Sequence, residues 1–241
     1  IDTMTIMEPD PIADGDLFTK FSFFDSNLLA STEYCYTILA CNFSNACSQS
    51  DEICVVTKNR PISSVCQAIE LGIRFFAENR LQEAISKFTE TKKKYPDIEL
   101  HMTGPMQTNK VKRSLELFDV FHTLDREKLA LEFNKQITNL SLKSQKSFFI
   151  QVNTGEEAQK SGVSINNLKG FTDYCIKDLN LNVIGLMCIP PANTDPEVYF
   201  VEMDKLNKNL GFEELSMGMS SDYLIAAKNS STYVRIGSSI F

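Results

Sequence analysis

The sequence predicts a parallel (β/α)8 barrel, an α/β fold in which eight strands alternate with helices. Eight short apolar runs alternate with stretches of helical periodicity over residues 53–241. Unbroken apolar runs are typical of strands that are buried on both faces of a parallel sheet. A doubly wound open sheet would show the same alternation. The count of eight, and the lack of a Gly-x-Gly-x-x-Gly turn after the first run, favour the barrel.

Each predicted strand is a mostly apolar run that ends at polar or turn-forming residues. The first contains Ile-Cys-Val-Val and ends at Lys58, directly before Asn59 and Pro61, which interrupt regular structure. The eight predicted strands span residues 53–58, 74–79, 99–103, 119–123, 147–153, 182–188, 214–218 and 232–237.

Capping residues predict where several of the intervening helices begin and end. Residues 64–67 (SVCQ) fit a capping box for the first helix, and Gly72 suits its end. Asp195 and Pro196 fit an N-cap and a first helical residue for the helix after the sixth strand.

The first fifty residues differ from the rest of the chain. Residues 1–21 are acidic, contain two prolines and a glycine, and show no clear period, which predicts a flexible tail. A helix is predicted around residues 22–46, and it would be an extra N-terminal helix on the barrel. The expected organisation is therefore a tail over 1–21 and one barrel domain over 22–241.

Composition excludes several classes of function. The net charge is −7, and no basic stripe suitable for nucleic acid is present. No apolar run is long enough to span a membrane, and the start of the chain lacks the basic residues of a targeting signal. Seven cysteines without a Cys-x-x-Cys pair indicate a reduced, cytoplasmic protein. With only two histidines in the chain, evenly spaced Cys35, Cys41 and Cys47 do not predict a metal site.

The carboxyl ends of the predicted strands bring polar residues to one rim, where barrels bind their ligands. Lys58 ends the first strand, and Asn79 ends the second. Lys58 is either a strand-end residue that reaches solvent or an amine held in a pocket to attack a carbonyl. His101, close to the same rim, is expected to be a hydrogen-bonded structural histidine.

Two turns rich in Gly and Ser follow the last two predicted strands. Residues 216–222 (SMGMSSD) precede a short helix, and 237–239 (GSS) follow the eighth strand. Gly and Ser also occur in ordinary turns. Because both turns fall where barrels often bind phosphate through backbone N–H groups, we interpret them as a phosphate site.

In a closed barrel the first strand lies beside the eighth, so this phosphate site would adjoin Lys58. A buried lysine next to a phosphate site suits pyridoxal 5′-phosphate (PLP), whose aldehyde forms a Schiff base with an amine. Arg235 would lie either near the pyridine ring, keeping its nitrogen unprotonated, or in a salt bridge on the rim.

The segments that carry these residues resemble the YggS/PROSC family of pyridoxal phosphate homeostasis proteins. Their order and spacing extend over almost four-fifths of the chain, although each alone is a weak signal. The matching segments are 56–61 (VTKNRP), 78–83 (ENRLQE), 101–110 (HMTGPMQTNK), 122–125 (HTLD), 152–153 with 160–162, 185–187 (GLM), 215–222 (LSMGMSSD) and 234–237 (VRIG).

The resemblance implies a fold-type III, PLP-binding single-domain barrel like the N-terminal domain of alanine racemase. It implies that Lys58 forms the Schiff base, that Arg235 faces the pyridine nitrogen, and that Asn79 belongs to the cofactor site. The phosphate would be held by Ser216, Met219, Ser220, Gly237 and Ser238.

The resemblance also implies a function in PLP homeostasis, in which the cofactor is buffered or delivered without catalysis. We expect a monomer whose partners are PLP and PLP-dependent apo-enzymes. The alternative is a fold-type III enzyme such as an amino-acid racemase, which normally adds a β-rich domain; the printed sequence ends at the eighth strand. A phosphate-binding isomerase or aldolase is a third possibility, without an evident acid/base pair.

Overall fold

The computed structural model describes residues 52–142, 146–157 and 159–241, and these form a closed parallel barrel surrounded by helices. The predicted tail and N-terminal helix lie outside the described residues. The eight strands are β1 (Glu52–Val56), β2 (Phe75–Glu78), β3 (Glu99–Met102), β4 (Val120–Leu124), β5 (Ser147–Val152), β6 (Val183–Cys188), β7 (Glu214–Met219) and β8 (Tyr233–Ile236).

Each strand pairs in parallel with the next strand along the chain, and β1 pairs with β8 to close the barrel. In the closing pair Ile53 lies beside Val234 and Val55 lies beside Ile236. The predicted fold class, strand count and strand order are confirmed. The strands mostly end one or two residues earlier than predicted, because the polar residues after them already belong to loops.

Helices follow the strands and cover the outside of the barrel. They are α1 (Ile62–Glu70), α2 (Leu81–Lys94), α3 (Val111–Leu115), α4 (Glu127–Asn139), α5 (Ile165–Asp173), α6 (Pro196–Asn209) and α7 (Tyr223–Lys228). A 3₁₀ turn (Thr108–Lys110) precedes α3, and α5 continues into a π-helical turn (Tyr174–Asp178).

The predicted helix ends are correct at two of three positions. Asp195 accepts a hydrogen bond from the N–H of Glu197 at the start of α6. Gly72 has a φ of +92° just after α1, a conformation that glycine adopts readily. The capping box at residues 64–67 is wrong: α1 begins at Ile62, directly after Pro61, so Ser64 lies within the helix. The turn after β1 leads into α1 two residues before the start of the predicted capping box.

Two apolar clusters stabilise the barrel. The larger one lies between strands and helices and includes Phe76, Phe88, Phe121 and Phe133. The smaller one contains Val120, Phe149 and Met187, with Tyr233 and Ile184 packed against it. Tyr233 and Phe149 also contact the ring of a buried histidine on β4, so this second cluster lies among polar side chains. No helix in the described part of the chain is long and apolar enough to cross a membrane.

Gly185 allows β6 to approach β7 closely. A Cβ atom at this position would lie 1.8 Å from the carbonyl oxygen of Glu214, and that oxygen is part of the backbone. We expect Gly185→Ala to lower the free energy of unfolding by about 2–3 kcal/mol, because the strands must separate to admit the methyl group. The urea midpoint at unchanged slope measures this change.

Gly170→Ala is the matched control, since a Cβ atom at Gly170 in α5 meets nothing within 4 Å. Alanine is the better helix former, so this variant should be as stable as the wild type or more stable. Equal midpoints for the two variants would contradict the close approach of β6 and β7.

Candidate functional site

Lys58 lies in a turn that leaves the carboxyl end of β1. The N–H of Arg60 donates to the carbonyl of Thr57 at 3.0 Å, and Asn59 has a φ of +59°. Residues 57–60 are called the lysine turn below. The side chain of Thr57 is buried, whereas Lys58 is exposed. Of the two alternatives for Lys58, the structure shows the residue that reaches solvent and not the buried amine, because β1 already ends at Val56.

The ammonium group of Lys87 on α2 contacts the lysine turn. Its Nζ donates to the carbonyl of Thr57 at 2.5 Å and to carboxylate oxygens of Glu78 at 2.9 Å and Glu83 at 2.6 Å. Glu83 also accepts from the backbone N–H of Asn59 at 2.6 Å. These contacts fix the backbone on both sides of Lys58.

The pKa values of the two carboxyl groups in this network are shifted in opposite directions. The Glu78 side chain is fully buried, and burial raises the pKa of its carboxyl group despite hydrogen bonds from Lys87 and Thr57 that lower it. Glu83 is nearer to solvent; burial alone would raise its pKa, but hydrogen bonds from Lys87 and the Asn59 N–H hold it below its usual value. The network is stable only while Lys87 offsets the buried carboxylate.

The turns after β7 and β8 contact each other. The N–H of Met219 donates to the Asp222 carboxylate at 2.6 Å, which shapes the first turn. The N–H of Gly237 donates to Ser220 Oγ at 3.4 Å, which joins the two turns. The N–H groups of Ile240 and Phe241 bond the carbonyl of Gly237, so a helical turn begins there.

Such a turn points its first N–H groups outward, as at the start of a helix, and they can bind an anion. Ser238 and Ser239 supply the first two of these groups. The side chain of Ser238 is exposed, and those of Ser220 and Ser239 are partly exposed, so they are accessible.

The closing strand pair brings the end of β1, and the lysine turn that follows it, against residues 237–241, which are called the Gly237 turn below. A Cβ atom on Gly237 would lie 2.9 Å from the carbonyl oxygen of Val56, so only glycine permits this approach. The guanidinium of Arg60 lies 5.6 Å from the ring centre of Phe241, a second contact between the same segments. The structure thus places Lys58 beside the Gly/Ser turns.

Arg235 lies inside the barrel beneath this rim and is 5% exposed. Its Nη1 donates to Ser216 Oγ at 2.6 Å and its Nη2 to the carbonyl of Cys188 at 2.9 Å. Burial lowers the pKa of the guanidinium. Of the two alternatives for Arg235, the described residues show no rim salt bridge; the side chain is buried and hydrogen-bonded instead.

Ser216, predicted to hold phosphate, lies deeper than the Gly/Ser turns. It is fully buried, and its hydroxyl is bonded to Arg235 and, at 2.8 Å, to His122 Nδ1.

Several buried polar atoms near the carboxyl ends of the strands have no hydrogen-bond partner within the described ranges: Glu78 Oε2, Asn79 Oδ1, Thr123 Oγ1 and Thr154 Oγ1. Thr123 also lines a cavity of about 330 Å³ with Thr103, Gln151 and Lys160. Buried polar groups without a protein partner are uncommon, and they can bond to a water, an ion or a ligand.

Polar side chains form a series of hydrogen bonds inside the barrel, and only part of this series was predicted. His101 is buried and hydrogen-bonded to His122 at 2.8 Å, as expected from the sequence. Burial alone would lower the pKa of His101, but Cys54 and Glu99 raise it to about 10. Burial and the neighbouring His101 lower the pKa of His122 well below its usual value.

The contact of Cys54 with His101 was missed. Alternation along β1 and β3 indicates which side chains share a face of the sheet, but not that this thiol and this imidazole meet.

The closed parallel barrel belongs to the class found in the N-terminal domain of alanine racemase. The family described as "Alanine racemase, N-terminal domain" matches residues 40–241. The alanine racemase of Clostridium difficile 630 shares the fold at 13% identity, with a TM-score of 0.63 over 80% of this chain and 52% of that chain.

The chain belongs to the family of pyridoxal phosphate homeostasis proteins. It is 38% identical to the member from Vibrio alginolyticus over 80% of this chain and 86% of the relative. It is 31% identical to that of Escherichia coli K12 over 81% and 88%. PipY of Synechococcus elongatus PCC7942, solved with PLP bound, is 28% identical, with a TM-score of 0.74 over 80% of this chain and 93% of that chain.

Lys87→Met should destabilise the protein in a pH-dependent manner. Removing one partner from a buried ion pair lowers the free energy of unfolding by about 3–5 kcal/mol near pH 7. Without Lys87 the pKa of Glu78 rises further, so the folded state binds a proton that the unfolded state has lost. Stability then falls as pH increases above the ordinary glutamate pKa. Urea unfolding at pH 5 and pH 7 should show the smaller loss at pH 5.

Lys93→Met is the control, because Lys93 pairs with Glu90 on the solvent-facing side of the same helix, with both side chains mostly exposed. It should change stability by less than about 0.5 kcal/mol at either pH. Adding Glu78→Gln to Lys87→Met should remove most of the pH dependence. If Lys87→Met lost the same stability at both pH values, the result would contradict the assignment of the buried charge to Glu78.

Proposed function

We propose that this protein binds PLP at the carboxyl rim of its barrel and acts in PLP homeostasis as a non-catalytic carrier. The observation that carries the proposal is the close approach of Gly237 to Val56, directly before the lysine turn, together with the contact of Arg60 with Phe241. The family to which the chain belongs, and the PLP-bound PipY structure, support the same ligand.

When bound, PLP supplies an aldehyde, a phosphate and a pyridine ring. We propose that the exposed amine of Lys58 forms a Schiff base with the aldehyde. The Lys87 network keeps the backbone around Lys58 in place, so that the amine remains at the rim. Exposure leaves this amine accessible to an incoming cofactor.

We propose that the phosphate binds to the turns after β7 and β8, at Met219, Ser220, Gly237 and Ser238. The outward N–H groups at the start of the last turn and the serine hydroxyls can donate to phosphate oxygens. Ser216 has a supporting role in this arrangement, since its hydroxyl already accepts from Arg235.

Arg235 and Asn79 are proposed to contact the ring. A guanidinium beneath the pyridine nitrogen disfavours its protonation, so the ring would be a weak electron sink, as suits binding without catalysis. The unpartnered Asn79 Oδ1 can accept from a ligand hydroxyl. The residues present therefore fit the cofactor.

The proposal extends to a cytoplasmic monomer that delivers PLP to apo-enzymes. The cysteines in the described ranges are unpaired, as in a reducing compartment: Cys54, Cys66, Cys175 and Cys188. An amino-acid racemase is the alternative function, because alanine racemases have the same barrel.

Lys58→Ala should abolish covalent attachment of PLP. Wild-type protein mixed with PLP should turn yellow, and borohydride should fix about one cofactor per chain on the peptide that contains Lys58. Absorbance spectra and peptide mass analysis measure both effects. Lys128→Ala removes another exposed lysine, on α4, and should retain one adduct per chain. A full adduct in Lys58→Ala would refute the attachment site.

The same PLP-loaded protein separates the carrier from the racemase. With L-alanine it should form D-alanine far more slowly than a typical enzyme, whose turnover is about 1–10³ per second. Turnover within that range would overturn the non-catalytic assignment while leaving PLP binding intact.

Ser220→Ala combined with Ser238→Ala should weaken PLP binding through the phosphate alone. Hydrogen bonds to charged groups contribute about 1.5–3 kcal/mol each, so the affinity for PLP should fall at least tenfold. Affinity for pyridoxal, which lacks the phosphate, should not change. Calorimetric titration with both ligands measures the difference, and an equal loss for both would place the phosphate elsewhere.

A further inference from the structure

Three fully buried side chains meet inside the barrel, on β1, β3 and β4. Cys54 Sγ lies 3.3 Å from His101 Nδ1, and that nitrogen lies 2.8 Å from His122 Nε2. All three atoms are within 4.8 Å of one another. The chain thus directs one thiol and two imidazole nitrogens toward a common point inside the barrel, and Ser216 links His122 to Arg235 by hydrogen bonds.

The opposite nitrogen of each histidine is already engaged. His101 Nε2 lies 2.8 Å from a Glu99 carboxylate oxygen, and His122 Nδ1 lies 2.8 Å from Ser216 Oγ. Phe149 stacks on the His122 ring with 4.5 Å between centroids. These contacts hold both rings in place, and a carboxylate on the distal nitrogen is the usual support for a metal-binding histidine.

We propose that Cys54, His101 and His122 form a binding site for a transition-metal ion of the Zn²⁺ class. Thiolate and imidazole are ligands that Zn²⁺ prefers, whereas Ca²⁺ and Mg²⁺ require oxygen ligands. The sequence did not predict this site, because its three residues are 21 to 68 positions apart in the chain.

The spacing of the ligand atoms suits a single ion. Zn–N and Zn–S bonds of about 2.0 and 2.3 Å place two ligands of one tetrahedral ion about 3.3–3.6 Å apart. The thiol–imidazole distance of 3.3 Å already agrees with that range. The two imidazole nitrogens, 2.8 Å apart, would separate by about half an ångström.

Three protein ligands leave a fourth position for water or another small ligand, as in zinc sites that are not purely structural. The thiol proton and the proton shared by the two histidines would be released as the ion binds.

The rival explanation is a hydrogen-bond network in which protons alone occupy this space. Protonated His101 can satisfy it: Nε2–H donates to Glu99 and Nδ1–H donates to His122 Nε2, with Cys54 Sγ as a weaker acceptor. Both explanations use the same atoms, so a measurement of bound metal is needed to separate them. The rival predicts the same metal content with and without the Cys54 thiol.

The test measures zinc in the full chain, purified without chelator from cells supplied with zinc and, in parallel, refolded from denaturant with excess Zn²⁺. After dialysis, elemental analysis should find about one zinc per wild-type chain. X-ray absorption at the zinc edge should show one sulfur and two nitrogen ligands, and PLP does not interfere with this signal.

Cys54→Val keeps a small apolar side chain in the core and should lower the zinc content at least tenfold. Cys175→Val changes another fully buried thiol, outside the cluster, and should retain the zinc. PLP binding shows that each variant is folded, and the site is independent of Lys58.

Equal zinc in wild type and Cys54→Val overturns the proposal. So does the absence of zinc from the wild type after both preparations, or an absorption spectrum without a sulfur ligand. None of these results bears on the proposed binding of PLP.

Discussion

Closure of the barrel between β1 and β8 is the constraint on which the rest of the structure depends. Residues 52–55 pair with residues 233–236, which lie at the opposite end of the described chain. This pairing places the lysine turn against the Gly237 turn and encloses the space in which Arg235 is buried. Contacts so distant in sequence must offset a large loss of chain entropy, and the two apolar clusters contribute most of that compensation.

Polar groups in the interior are the second constraint, since an unpaired buried charge is strongly destabilising. Among the described residues, two separate networks near the candidate site satisfy this constraint. Lys87 joins the buried carboxylate of Glu78 to the lysine turn outside the sheet. Inside the barrel, one continuous chain of hydrogen bonds runs through Glu99, His101, His122, Ser216 and Arg235. These networks orient the rim, whereas apolar packing supplies the stability.

Local patterns predicted the secondary structure well, because short apolar runs and helix-ending residues act over a few neighbours. The eight strands, the N-cap at Asp195 and the helix end at Gly72 all follow from such local signals. The capping box at residues 64–67 failed for a tertiary reason: the turn after β1 starts α1 at Ile62. Composition and strand order predicted that the two Gly/Ser turns are neighbours, but not the hydrogen bond from Gly237 to Ser220 that joins them.

The sequence by itself determined the fold class, the family resemblance and the residues that surround the candidate cofactor site, because these depend on periodicity and short motifs. Only the tertiary structure decided that Lys58 is exposed, that Arg235 is buried against Ser216, and that Cys54 faces two histidines. The reason is physical. Exposure and side-chain partners depend on strands brought together across the closed barrel, and no local pattern specifies which side chains then meet.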